Sequence, residues 1–179
     1  MRSALTAAVL VCFVPTIQGA DDDNPYRNAR VGDWVKYKMT GKNMKGSTKM
    51  TVTFKDDKEL AFDVASSFSF MGNEQVAPVQ TMKIDLTKSY DAVSAANLKA
   101  NNVKIEKLDE GMETLKAAGK EYETKWTKFR ATTTLNEQVI VTDYTMWFCK
   151  DVPLSGLVRM DTNASEITTR LELIGSGSK

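Results

Sequence analysis

No histidine occurs in the 179 residues. Its absence removes Ser-His-Asp and Cys-His catalysis, imidazole metal sites and the usual proton shuttle at neutral pH. Cysteine is almost as scarce, with Cys12 and Cys149 the only two. That excludes zinc-thiolate clusters and paired-thiol redox chemistry. Beyond the N-terminal segment no run approaches the 18 or so apolar residues of a membrane-spanning helix. No dinucleotide fingerprint, P-loop or EF-hand spacing occurs, so no cofactor and no metal are implied. Neither sign of charge dominates: the formal net charge is +1. A balanced chain has no global basic field for nucleic acid or anionic lipid.

The first 20 residues have the pattern of a cleavable export signal. Met1-Arg2 is a short positive start, residues 4–14 are apolar but too short to span a bilayer, and Gly19-Ala20 supply small residues at the cut. Val11 stands before Cys12, where lipid attachment needs a small residue. Cleavage removes Cys12 and leaves Cys149 without an internal partner, so the domain depends on packing alone. Cys149 lies in the apolar run Met146-Trp147-Phe148-Cys149 and reads as a small buried hydrophobe. Asp21-Asp22-Asp23 begins an acidic spacer over 21–30, ahead of one domain over 31–174 and a frayed glycine-serine tail over 175–179.

The dominant period is two, the mark of half-buried strands. Val35, Tyr37 and Met39 alternate with lysines. Thr48, Met50, Val52 and Phe54 do the same; the turn Asp56-Asp57-Lys58 then leads into Leu60, Phe62 and Val64, together a β-hairpin. Phe68 and Phe70 lead to a Gly72-Asn73 turn, and Met82, Ile84 and Leu86 alternate again. Further strands are expected over 103–106, 112–115, 122–132, 139–148, 157–161 and 167–174. Only the alanine-rich stretch 90–100 reads as helix. Adjacent strands with short turns predict a mainly β protein built on an antiparallel sheet. Eight to ten strands cannot stay flat, so the sheet curls, splits or closes.

Aromatic and methionine side chains exceed what such a sheet and one short helix cover. Met50, Phe54, Phe62, Phe68, Phe70, Met82, Trp126 and Trp147 are core residues or the lining of an apolar ligand cavity on the concave face. Asp143, Asp151 and Asp161 near strand ends are the carboxylates a glycosidase-like hydrolase would need; solvated edge charges are the simpler reading. Asn163-Ala164-Ser165 fits a glycosylation sequon.

Three segments together resemble exported bacterial proteins of unknown function and the lipoprotein-carrier half-barrels of the LolA/LppX type. They are Val31-Gly32-Asp33-Trp34-Val35-Lys36-Tyr37, then Gly111–Lys120 leading into Tyr122 and Trp126, then Met146–Val158 with its Val152-Pro153-Leu154 entry to a strand. The resemblance implies a strongly curved antiparallel sheet, a half-barrel or open barrel with one short helix at its mouth. It also implies the holding of a lipid or acyl chain. The carriers have more helix than this chain offers. Two readings follow: an exported, non-enzymatic protein with a lipid or other apolar ligand, or an envelope scaffold that binds a protein partner and no small ligand. A carboxylate-dependent hydrolase ranks third. No nucleic acid partner and no transmembrane segment are expected.

Overall fold

The period-two runs become ten strands in one antiparallel sheet. They are β1 (Trp34–Gly41), β2 (Met44–Lys55), β3 (Glu59–Phe70), β4 (Asn73–Val76), β5 (Gln80–Asp85), β6 (Val103–Ala117), β7 (Lys120–Leu135), β8 (Gln138–Phe148), β9 (Leu157–Ala164) and β10 (Ile167–Gly177). The computed structural model describes residues 24–88, 103–135, 138–164 and 167–178. The expected export signal over 1–20, the acidic run 21–23 and the stretch 90–100 expected to be helix lie outside the described residues.

The strand order is β4-β3-β2-β1-β10-β9-β8-β7-β6, and β5 pairs with the same edge of β3 as β4. No described strand joins β4 and β5 to β6, so the sheet is open. One face is buried because most registers on its lower part match apolar to apolar. Val35 faces Met50 and Met50 faces Val64; Val52 faces Phe62 and Phe62 faces Met82; Met39 faces Leu171, Leu171 faces Met160 and Met160 faces Met146. The opposite face carries Lys36, Lys38, Lys49 and Glu172, the intervening residues of the same strands. Since a shift of one residue would turn every apolar group to water, the register is firmly specified.

Four expectations change. The strands expected over 103–106 and 112–115 are one 15-residue strand, bulged between Lys107 and Asp109. The turn after β3 is Met71-Gly72, both with positive φ, rather than Gly72-Asn73. Residues 24–30 are seated rather than a spacer. Pro25–Asn28 form a 3-10 turn capped by the Asn24 side chain, and Tyr26 and Ala29 are buried. The tail 175–177 is not frayed: it pairs with β1, because Gly175 and Gly177 leave room for the Trp34 indole to lie against them, within 3.3 Å of where a Cβ would stand. Ser178 Oγ then donates to Asp33 Oδ1 at 2.6 Å.

Candidate functional site

All strands run between two ends. The base holds the β2–β3 turn, the connection 149–156 and the 24–33 segment; the rim holds the β1–β2, β3–β4, β7–β8 and β9–β10 connections. At the base the concave face is filled. Tyr26 stacks on Phe62 with centroids 6.0 Å apart and rings 4° from parallel. Tyr37 is fully buried and its hydroxyl donates to the Leu157 carbonyl at 3.0 Å. That burial pushes the Tyr37 phenol well above its ordinary pKa. Leu60, Leu157 and Leu173 are fully buried beside it.

Toward the rim the concave face loses its cover, and Thr133, Thr142, Thr162 and Thr169 stand among its apolar side chains. Met39, Leu171, Met160, Met146 and Thr127 form one row across five strands. Above it Phe129 stacks on Tyr144 at 5.0 Å. Higher still, the concave positions are Met44, Phe68 and Phe70 on one side and Ile105, Ile140 and Ile167 on the other. Phe70 is 45% exposed, Ile140 40% and Ile167 62%. The buried Thr127 hydroxyl on the middle row has no hydrogen-bond partner.

The eight residues singled out for a cavity divide among three places. Met50, Phe62 and Met82 sit in the filled lower part of the concave face. Phe68 and Phe70 reach the rim. Phe54, Trp126 and Trp147 lie on the convex face. A register shift between Val52 and Phe54 turns Phe54 outward opposite Ala61, where it is 47% exposed. Trp126 and Trp147 face each other across β7 and β8, one position out of phase with Met146. Tyr144, Ile140 and Ile167 were not singled out, although alternation through Ile140, Thr142, Tyr144 and Met146 would have placed the first two on the wall.

The convex tryptophans serve an ionic brace. Gly111 has no Cβ because one would stand 2.8 Å from the Trp126 ring. Trp147 Nε1 donates to Glu113 Oε2 at 2.8 Å, and the Arg159 guanidinium lies 4.6 Å over the indole. Arg159 and Arg170 each fork onto Asp161. Burial pushes the Asp161 carboxyl up, but the two guanidinium groups outweigh it and hold the pKa below the usual carboxylate range. Arg130 forks onto Asp143 and lowers it too. Neither carboxyl is poised to deliver a proton at neutral pH. Asp151 stands apart, in the connection at the base. Among the described residues no cluster of three or more acidic or cysteine side chains is placed to hold a metal. Cys149 is buried and free. No described helix is long and apolar enough to cross a membrane.

The chain is thus an open antiparallel half-barrel whose concave face is filled below and carries uncovered apolar side chains above. No protein-family model matches it. No curated protein matches it either. Solved structures are similar to it. One, from Bacteroides fragilis, is described as exported and as having a YmcC-like fold; it is 9% identical, with TM-score 0.45 over 84% of this chain and 97% of that one. Another, from Parabacteroides distasonis, is described as a lipoprotein and is 10% identical, with TM-score 0.45 over 83% and 96%. The hypothetical lipoprotein YmcC of Escherichia coli is 11% identical, with TM-score 0.34 over 80% and 88%.

Proposed function

We infer that the chain is exported and, without catalysis of its own, holds an apolar ligand such as a lipid acyl chain on the upper concave wall. One observation carries the reading: large apolar side chains recur on the concave face above the point where the core stops. Removing large side chains from water stabilises them by about 1.5–3 kcal/mol each, yet Phe70, Ile140 and Ile167 remain wet. A ligand chain laid along Met160, Tyr144 and Ile140 would cover them. Export rests on the pattern of residues 1–20. The lack of histidine and the arginine-locked Asp143 and Asp161 support a non-enzymatic role.

The test is native mass spectrometry of the purified protein together with displacement of an apolar fluorescent probe. Retained lipid and probe binding that Ile140→Arg abolishes are expected. A wild-type protein that retains no lipid and binds no probe overturns the reading.

A protein partner is the second reading, favoured by one observation. β8 pairs with β7 from Gln138 onward, but β9 reaches β8 only at Thr142. The other edge of Gln138–Val141 has no described partner strand, and Val139 is 65% exposed. Such an edge accepts an added strand. Pull-downs that recover a stoichiometric envelope protein, lost on Val141→Pro, would favour this reading.

A further inference from the structure

Two hairpin tips at the rim are joined by their backbones. The turn between β1 and β2 is Lys42-Asn43, the turn between β3 and β4 is Met71-Gly72, and Met71 N–H donates to the Asn43 carbonyl at 3.0 Å. Met71 has φ 50° and Gly72 φ 85°. Two successive left-handed residues make the two-residue hairpin turn that asparagine-glycine fits best. A larger side chain in the first position is disfavoured. Here that position holds a methionine, 70% exposed. The fold gains little from this side chain, because most of it touches water. Phe70 beside it is 45% exposed and Val76, lower on β4, 82%.

Charges on the two tied tips are few, and the acids of the rim connections, Glu137 and Glu166, belong to the β7–β8 and β9–β10 connections. Lys42 and Lys45 are exposed on these tips, and Glu74 is their one acid. The turns at the base carry both signs, with Asp56-Asp57-Lys58 after β2, Asp85 paired to Lys88 after β5, Lys116 and Lys120 beside the β6–β7 turn, and Lys150-Asp151 after β8. An apolar point with lysines behind it matches the boundary of a bilayer. Apolar side chains there leave water while lysines reach lipid phosphates.

We propose that the β1–β2 and β3–β4 tips dock on an anionic phospholipid bilayer, with Phe70 and Met71 inserted at the headgroup boundary and Lys42 and Lys45 on the phosphates. This goes beyond the ligand reading: a docked rim stands whether or not the concave wall holds an acyl chain.

The experiment is co-sedimentation of the purified exported form with vesicles of equal parts phosphatidylglycerol and phosphatidylethanolamine, and with pure phosphatidylcholine vesicles. Met71→Asn is the decisive variant, because asparagine suits the left-handed turn and keeps the fold. Its thermal midpoint should equal or exceed that of the wild type, while vesicle affinity falls about tenfold, the effect of withdrawing one large apolar side chain from the membrane. Lys42→Glu should weaken binding to the anionic vesicles by about tenfold or more and leave the phosphatidylcholine signal unchanged. Wild-type protein that stays in solution with anionic vesicles overturns the proposal, as does unchanged binding by Met71→Asn. A wild-type dimer that Met71→Asn converts to monomer, without vesicle binding, overturns it in favour of a contact between copies. Probe displacement on the same samples separates the two readings, since vesicle binding without probe binding removes only the ligand.

Discussion

At the base of the sheet, Tyr26 lies over Phe62 and Tyr37 reaches the Leu157 carbonyl, so the concave face is closed by its own side chains. At the rim the same strands present Phe68, Phe70, Ile140 and Ile167 with nothing described above them. Of the two tied rim tips, one ends in Met71-Gly72 and the other in Lys42-Asn43. The alternation of residues is equally regular in both regions. What differs is the cover: a 3-10 turn and the connection 149–156 fold over the lower end, and no described segment does so above. A sheet face is thus a core only where another segment returns to cover it.

The largest test of that contrast is Phe62→Ala. The side chain is 1% exposed, and its loss should cost about 3–5 kcal/mol in urea melts with an unchanged slope. Phe70→Ala, the same change at the rim, should cost under about 1 kcal/mol. Equal costs would erase the distinction between the ends. Between these lies Asp161→Asn, which leaves two guanidinium groups short of their shared partner and should cost about 1–3 kcal/mol at neutral pH. Because the folded-state pKa of Asp161 is depressed, its contribution is fully present above the unfolded value of about 4 and is lost as pH falls through the lower folded value. Melts from pH 7 down to pH 2 should therefore converge for the wild type and Asp161→Asn, and curves that stay parallel would contradict the assignment. Thr127→Val should stabilise the unliganded protein by about 1 kcal/mol, since an unpartnered buried hydroxyl is replaced by a methyl group. The smallest expected effect is that of Phe70→Ala on stability, and its value lies in the comparison with Phe62.

Almost every strand was legible as period-two alternation, because one face is buried along most of the sheet. Which face each aromatic would occupy was not. Alternation gives the phase within a strand and is silent about a shifted residue, so the irregularity before Phe54 turned that ring outward. Trp126 and Trp147 were drawn to the cavity by their size. Their actual neighbours, Gly111, Glu113 and Arg159, come from other strands. The glycine-serine stretch 175–177 has the composition of a loose tail and becomes strand only because Trp34, far away in sequence, packs on it. Of the rim, only Phe68 and Phe70 were anticipated; alternation along β8 carried the signal for Ile140 and Tyr144, whereas the β10 contribution depends on a register that no local pattern encodes.

β10 has a consequence for the order in which this chain folds. Two runs of neighbouring strands, β1 to β5 and β6 to β9, can pair locally as hairpins while they are being made. Between them the sheet has one seam, and β10 fills it, with β1 on one side and β9 on the other. Trp34 must wait for Gly177 before the ladder between them can close. Contacts of such long sequence separation form slowly. Until β10 emerges the chain consists of two half-sheets, each with an unsatisfied inner edge. That delay makes β10 the strand whose loss would divide the molecule in two.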